Sequence, residues 1–455
     1  MSTMKNRQVK LWLLMVVAVI FWITGTGFYR ELSATNETAY EGLKVFADVL
    51  EIIENEYVDE VNAKELIQNA IQGMVKSLDP HSALLPPEAF EDLQIDTKGK
   101  FTGIGIHITM QDGFVTVISP IEDTPAYNAG LKARDRIIKV DGKPATDLRE
   151  AVNMIRGPKG TKVVVTIIRE GEKKPIDYEL VRDDIPIISV KSISLKPGYG
   201  YIRISNFTGH TTKDLEAALT KVESETIPLR GLILDLRDNG GGLLNQAIQV
   251  SDLFLETGKI LSIEGRNKKN SKVFNAHPNK TKRDYPIVLL INGGSASASE
   301  IVAGALQDHK RALLLGTASF GKGSVQTVET LRDGSGLKLT IARYYTPNGR
   351  SIQAKGIEPD IVLKHRRLED EELAEAEERF LKEKDLKNHL DAEPNKNAGE
   401  NTDTRQKQEQ EGNREMRDAN LRVGPLKLEF LQADNQVMRA LEILTGYEIF
   451  KSLAK

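Results

Sequence analysis

Residues 286–300 read PIVLLINGGSASASE, an apolar run that ends in two glycines and a cluster of small residues. The apolar run predicts a buried strand that ends at Asn292. Gly293 and Gly294 permit a tight turn, after which a helix is expected to begin. A serine at such a corner would expose its hydroxyl beside backbone N–H groups, at the positive end of the helix. The same serines could simply cap the helix, so this stretch alone leaves both interpretations open.

Patterns typical of strands alternate with patterns typical of helices across residues 186–364. The predicted strands are Tyr201–Ile204, Gly231–Leu236, Ile287–Ile291 and Ala312–Leu315. The predicted helices are Thr212–Val222, Gln246–Leu255 and Ala298–Gln307. Alternation of this kind predicts an α/β domain with a largely parallel sheet.

A lysine follows the last of these strands, in residues 317–326, TASFGKGSVQ. A helix followed by a neighbouring parallel strand returns the chain to the sheet edge where the serine turn lies. Lys322 stands between two glycines, so backbone can pack closely around it. Lys322 can act as a base for serine only if burial lowers its pKa from about 10.4 toward neutrality. An exposed lysine or a phosphate-binding lysine is the alternative, although the phosphate-loop pattern is absent.

Three glycines follow another predicted strand, in residues 234–242, LDLRDNGGG. Such a strip exposes successive backbone N–H groups, which can bind an oxyanion or a substrate backbone. Alone it is a weak indication of function.

Strand-like runs alternate with glycine turns across residues 99–184. The predicted strands are Ile104–Thr109, Phe114–Ile118, Arg136–Val140 and Lys162–Arg169, and the predicted helices are Pro125–Ala129 and Leu148–Ile155. This pattern predicts a small β-rich domain with two helices.

The amino terminus carries Lys5, Arg7 and Lys10 before an unbroken apolar run, Leu11–Ile23. Together with the weakly apolar residues that follow it, the run is longer than the apolar region of a typical signal peptide, about 7–15 residues, and shorter than a spanning helix, about 20 residues. The basic flank keeps the start of the chain in the cytoplasm. We therefore expect residues 1–30 to be a retained signal anchor, with a cleaved signal peptide as the alternative, and the rest to be exported.

Helical patterns mark both ends of the remaining chain. Residues 38–96 predict an N-terminal helical arm, and residues 425–453 predict a C-terminal helix. Before that last helix, residues 366–422 are rich in Glu, Lys, Gln and Asn. This composition predicts a charged, flexible linker, mobile over Pro394–Asn420.

The composition excludes several kinds of site. The chain has no cysteine, which removes disulfides, thiolate zinc sites and cysteine nucleophiles. Its seven histidines show no metal-ligand spacing, so we expect no metal and no cofactor. A net charge of −3 gives no reason to expect a nucleic-acid partner.

Over about residues 40–364 the chain resembles the carboxyl-terminal processing proteases, also called tail-specific proteases. The motifs that carry the resemblance are SASASE at 295–300, FGKG at 320–323, the D-L-R-x-N-x-G-G strip at 235–242, YTPNGRSI at 345–352 and GIEPDI at 356–361. Gly240 stands where the family often has proline, which loosens the strip but removes no donor. The resemblance implies a multidomain α/β protein: a helical N-terminal arm, a PDZ domain, a protease core with a ClpP- or crotonase-like sheet, and a C-terminal helix.

The same resemblance implies the roles of individual residues. Ser297 would be the nucleophile and Lys322 the general base of an acyl-enzyme mechanism, with Gln326 orienting the lysine. The backbone N–H groups of Ala298 and Gly241 would form the oxyanion hole.

The β-rich domain resembles a PDZ domain, in which a loop binds the carboxylate of a substrate tail and the tail adds as a strand. The loop residues would be Gly103, Ile104, Gly105 and Ile106. Arg156 could contact the protease core, although an exposed turn residue is the plainer interpretation.

The resemblance therefore predicts an exported serine endopeptidase, at the periplasmic face of the inner membrane or in the periplasm. Its expected partners are proteins with free apolar carboxyl termini, the membrane, a second copy in a homodimer and an adaptor protein. The alternatives are an inactive PDZ scaffold and an acyl-CoA hydratase or hydrolase. A triad that uses His309 is a further possibility, but this histidine should lie at the far end of the helix from Ser297.

Overall fold

The computed structural model describes residues 39–366, 382–386, 389–390 and 426–453. The predicted signal anchor at 1–30 lies outside these residues, as does most of the predicted linker, including Pro394–Asn420. No helix in this described part combines the length and apolar character that a membrane span requires.

The helices are numbered along the chain. They are α1 (39–56), α2 (Ala63–Lys76), α3 (Pro87–Lys98), α4 (Pro125–Asn128), α5 (Leu148–Ile155), α6 (Thr211–Glu223), α7 (Leu244–Asp252), α8 (Ala298–Asp308), α9 (Leu428–Gln432) and α10 (Asn435–Leu453).

The strands are numbered in the same way. They are β1 (Ala83–Leu85), β2 (Lys100–Gly103), β3 (Ile106–Gln111), β4 (Phe114–Pro120), β5 (Arg136–Val140), β6 (Lys143–Pro144), β7 (Lys162–Ile168), β8 (Ile176–Val181), β9 (Asp183–Pro186), β10 (Val190–Lys196), β11 (Tyr199–Ile204), β12 (Gly231–Asp235), β13 (Lys259–Glu264), β14 (Lys272–Asn275), β15 (Ile287–Ile291), β16 (Ala312–Gly316), β17 (Ser324–Thr330), β18 (Gly336–Tyr345) and β19 (Ile361–Val362).

The chain divides into two compact units, Met1–Ser77 and Leu78–Lys455. The first contains α1 and α2 of the helical arm predicted over residues 38–96, whose last helix, α3, belongs to the second unit. The side chain of Asn62 caps α2 by accepting the N–H of Lys64 at 3.0 Å. Apolar side chains of α1 stay largely exposed, among them Leu43.

The β-rich domain of the second unit is an antiparallel sheet of order β3-β4-β5-β7-β8, with β6 paired to β5. Helix α5 begins where Asp147 accepts the N–H of Glu150 at 2.9 Å, and it buries Ala151 and Ile155 in the domain's core. The first strand begins at Ile106 rather than at the predicted Ile104, because Gly105, at φ +80°, turns the chain there.

The α/β domain predicted over residues 186–364 holds a sheet of order β10-β11-β12-β15-β16-β19, parallel from β11 onward. Every residue of β12 and β15 is buried, as expected for central strands covered on both faces. The strands and helices predicted for this domain are confirmed to within a few residues.

A second sheet, of order β1-β18-β13-β14 with β17 paired to β18, was not predicted from the sequence. It bears on the site because β17 begins at Ser324, two residues after Lys322.

The carboxyl-terminal segment consists of two helices, and α10 packs on the core sheet. Arg237, which is buried, donates to Asp434 at 2.8 Å and to Gln436 at 2.7 Å. Leu444 lies so close to Gly231 that a Cβ there would meet it at 3.1 Å.

Candidate active site

The serine turn, residues 292–297, links β15 to α8 at the carboxyl edge of the core sheet. The side chain of Asn292 shapes it by accepting the N–H of Gly294 at 3.0 Å and that of Asp238 at 2.9 Å. Ser297 has φ +53° and ψ −109°, a conformation that side-chain-bearing residues rarely adopt. Strained backbone of this kind is found where a side chain must be held in one position for a reaction.

The other two serines of the cluster have structural partners. Ser295 donates to the carbonyl of Leu236 at 2.8 Å, and Ser299 donates to the carbonyl of Asn239 at 2.8 Å. Both serines are fully buried, and their hydrogen bonds attach the turn to the glycine strip.

The lysine loop, residues 317–323, is held against the serine turn by one buried carboxylate, that of Glu300. One oxygen of Glu300 accepts the hydroxyl of Ser319 at 2.6 Å and the N–H of Gly321 at 2.7 Å. The other accepts the N–H of Lys322 at 2.9 Å and that of Ser297 at 2.8 Å. Burial raises the pKa of the Glu300 carboxyl to about 7, against the hydrogen bonds that favour its charged form.

Lys322 has the altered ionisation that a general base needs. Burial and the nearby charge of Lys338 lower its pKa to about 8, while Glu383, Glu300 and Asp79 act in the opposite direction. A substantial fraction of Lys322 is therefore neutral in mildly alkaline solution.

Tyr344 joins the two predicted catalytic residues. Its buried hydroxyl donates to the carbonyl oxygen of Lys322 and is hydrogen-bonded to the side chain of Ser297. Sequence reasoning missed both Tyr344 and Glu300. Glu300 was visible inside the SASASE motif, but nothing in the sequence separated it from an ordinary capping glutamate.

The glycine strip lies directly against Ser297. A Cβ on Gly241, at φ +103°, would meet the carbonyl of Ala296 at 2.8 Å and the backbone N of Ala298 at 3.0 Å, so only glycine fits. The predicted oxyanion donors are therefore neighbours. The N–H of Gly241 is already donated to the side chain of Asn239 at 2.9 Å, so a substrate oxyanion would have to replace that acceptor.

Gln326 has other partners in this structure. Its amide nitrogen donates to Ser324 at 2.9 Å and to Thr340 at 3.4 Å. Its predicted role in orienting Lys322 stays a prediction.

The predicted tail-binding residues divide between a strand and a turn. Gly103 ends β2, which pairs with β9. The carbonyls of Ile104 and Gly105 accept the N–H groups of Ala126 and Ile121, both at 2.9 Å, and Ile106 begins β3. These bonds fix the shape of the segment, and its binding of a carboxylate stays a prediction.

Arg156, near that segment, pairs with Asp92 of α3 at 2.9 Å and lies over the ring of Phe101. Its partners are thus α3 and β2.

His309 is placed as a structural residue. It follows the carboxyl end of α8, the opposite end from Ser297, and its Nε2 lies 2.8 Å from the carbonyl of Lys259. This position removes the histidine triad from consideration.

Three parts of the chain match models of known families. Residues 198–363 match peptidase family S41, residues 102–180 match the PDZ domain, and residues 26–88 match the N-terminal domain of the activating protease CtpB.

Individual relatives extend over most of the chain. A carboxy-terminal-processing protease of Bartonella bacilliformis is 47% identical over 361 residues, which are 77% of this chain and 83% of the relative. The carboxy-terminal processing protease CtpA of Bacillus subtilis is 37% identical and covers 78% of this chain and 77% of its own length. Among solved structures, a photosystem II D1 C-terminal processing protease is 31% identical over 70% of this chain and 92% of its own, with a TM-score of 0.41.

The fold and the comparisons thus define a serine-type peptidase that carries a PDZ domain. The chain belongs to peptidase family S41, among the carboxy-terminal processing proteases. This membership sets aside the alternatives of an inactive scaffold and an acyl-CoA enzyme, and it implies protein substrates.

Proposed function

We propose that the chain cleaves proteins through an acyl-enzyme formed on Ser297, with Lys322 as the general base. The observation that carries this proposal is the shared anchoring of both residues by Glu300, together with the lowered pKa of Lys322. At a pH near the pKa of Lys322, a substantial fraction of the lysine is neutral and can accept the proton of a serine hydroxyl.

In the first step, neutral Lys322 accepts the hydroxyl proton of Ser297 while the serine oxygen attacks the scissile carbonyl. The N–H groups of Ala298 and Gly241 would then stabilise the negative charge on the carbonyl oxygen. As the tetrahedral intermediate collapses, the C–N bond breaks and Lys322 returns the proton to the departing amine, leaving an ester on Ser297.

Water attacks that ester in the second step, with Lys322 again accepting a proton. The ester C–O bond breaks, Ser297 regains its hydroxyl proton from the lysine, and the new carboxyl terminus departs. The same two residues thus serve both halves of the reaction, as in other acyl-transfer sites.

The PDZ domain is proposed to select substrates by their free apolar carboxyl termini through Gly103–Ile106. Backbone N–H groups there would satisfy the carboxylate, and an apolar pocket beside them would reject charged tails. The basic and apolar pattern of residues 1–30 supports export with the amino terminus as an anchor, which would place the protease at the periplasmic face of the membrane or in the periplasm. A homodimer and an adaptor protein are further proposals carried over from the family resemblance.

Incubation of the purified chain with an unfolded protein tests the catalytic part. The parent chain should cleave it, whereas Ser297→Ala and Lys322→Arg should not. Cleavage by both variants at the parent rate would refute the proposal.

A further inference from the structure

A short piece of the predicted flexible linker is docked on the lysine loop. Residues 382–386, named here the clamp segment, form a 3₁₀ turn whose Glu383 is fully buried. The stretch predicted to be mobile, Pro394–Asn420, begins after this segment. A glutamate side chain is almost never fully buried without partners that satisfy its carboxylate.

Glu383 has such partners from two other parts of the chain. One carboxylate oxygen lies 2.6 Å from Nε2 of His81, in the loop that precedes β1. The other accepts the amide N–H of Gln353 at 3.0 Å, and Gln353 is itself fully buried. The hydrogen bond to Gln353 is buried and the one to His81 is partly buried, so their loss would leave the buried carboxylate of Glu383 without its partners.

The clamp segment holds the lysine loop on both sides of Lys322. The N–H of Glu383 donates to the carbonyl of Phe320 at 3.2 Å. On the other side, the side-chain oxygen of Gln353 accepts the N–H of Gly323 at 3.0 Å, so Glu383 reaches Gly323 through Gln353.

Lys382 adds a third attachment. Its ammonium group donates to the carbonyls of Ala318 and Ser319, at 2.6 and 2.8 Å. Nearly every residue of the lysine loop is thus tied either to Glu300 or to the clamp segment.

Charge links the clamp segment to Lys322 as well. The charged groups that act on Lys322 are Lys338 of β18, Glu300 of α8, Asp79 of the loop before β1, and Glu383. The carboxylate of Glu383 favours the charged lysine and so raises its pKa, in opposition to burial and Lys338. The titratable groups near Glu383 are His81, Lys322 and Tyr344, since Gln353 carries no charge.

We propose that Glu383 is a positioning residue of the protease, which fixes the lysine loop from the side opposite Glu300 and keeps a negative charge beside Lys322. Docking of the clamp segment then completes the site, and both the position and the basicity of the lysine depend on it. This inference rests on the proposed Ser297–Lys322 mechanism.

Two substitutions separate the effects of charge and of position. Glu383→Gln removes the charge but keeps an oxygen acceptor, so the acid limb of the kcat/KM profile should move to lower pH. Glu383→Ala also removes the hydrogen bonds, so kcat should fall at every pH, by about a hundredfold if the lysine moves by about 1 Å. Asp385→Asn is the matched control, because it removes an exposed carboxylate of the same segment and keeps an acceptor for the N–H of Lys382.

The measurement is kcat/KM and kcat against pH for the full chain and all three variants, with Ser297→Ala in the same assay. Thermal unfolding shows whether each variant is folded. If Glu383→Ala is not folded, the pH profile of Glu383→Gln tests the proposed role of Glu383. Parent-like profiles for both Glu383 variants, or a rise in kcat for Glu383→Ala, would overturn this inference while Ser297→Ala remained inactive. An active Ser297→Ala chain would instead refute the proposed function, and this inference with it.

Discussion

Ser297 differs from its two neighbouring serines in what its backbone and side chain do. Ser297 combines a positive φ with a hydrogen bond to Tyr344 and stays partly exposed, whereas the hydroxyls of Ser295 and Ser299 are buried and donate to backbone carbonyls. The chemistry and the structural support of the turn are thus divided among three residues of the same type.

Alanine substitution of each serine should separate these roles. Ser297→Ala should abolish cleavage of an unfolded protein. Ser295→Ala and Ser299→Ala should each lose about 0.5–1.5 kcal/mol of unfolding free energy through the loss of a buried hydrogen bond, since the carbonyls of Leu236 and Asn239 each keep a backbone N–H donor, yet retain activity. Cleavage rates and urea unfolding of the three variants provide the comparison, and full activity in Ser297→Ala would end the assignment.

Lys322 determines the expected pH dependence. Only the neutral amine can accept a proton, so kcat/KM should rise from neutral pH and level off above about pH 8, the pKa set mainly by burial. Below that value it should fall by about tenfold for each pH unit, because each unit lowers the neutral fraction tenfold.

Lys322→Arg should be inactive throughout this range, because a guanidinium stays protonated. Near-normal turnover in this variant would show that the lysine is not the base.

At the scale of elements, helix α8 and the lysine loop are joined by Glu300. Each of its two carboxylate oxygens accepts two hydrogen bonds. In a glutamine one oxygen is replaced by an NH₂ group, which cannot accept the hydrogen bonds of the two donors that face it. Glu300→Gln should therefore lower kcat by about a hundredfold through misplacement of the loop.

The measurement for Glu300→Gln is steady-state kinetics beside circular dichroism, with Glu329→Gln on the exposed part of β17 as the matched control. A folded Glu300→Gln chain with parent kcat would mean that the loop is positioned without it.

Elements with strong local signals were predictable. The strand β15 and helix α8 follow from an apolar run, two glycines and helical spacing, which are properties of neighbouring residues. The sheet that contains β17 and β18 was not predictable, because neither strand alternates buried and exposed residues. Strand β17 runs from a buried end to an exposed end, β18 is mostly half-buried, and their pairing shifts register next to Gln326. Glu383 was missed for a related reason: the composition of its segment indicates solvation, and only contacts with His81 and Gln353, far away in the sequence, make its burial favourable.

At the scale of the whole molecule, the PDZ domain and the protease core form one chain with separate hydrophobic cores. A separate domain that binds tails can select substrates without altering the catalytic residues. Tail recognition should therefore change which substrates are cut, while the pH dependence stays that of Lys322.

One substrate with three different ends tests this separation. A free apolar carboxyl terminus should be cleaved about tenfold faster than an amidated one, since hydrogen bonds to a charged group contribute about 1.5–3 kcal/mol. A lysine-ended tail should also be slow, because its charge would be desolvated without a partner. Equal rates for all three, measured under kcat/KM conditions, would show that the domain does not read the tail.

The most direct test of the Ser297–Lys322 assignment is the rate at which a phosphonylating probe labels the protein between pH 6 and pH 10. We predict a single adduct on Ser297 by peptide mapping, formed at a rate that rises to a plateau above about pH 8. In Lys322→Arg the labelling should be negligible. An adduct on another residue, or a rate that is independent of pH and unchanged in Lys322→Arg, would contradict the account.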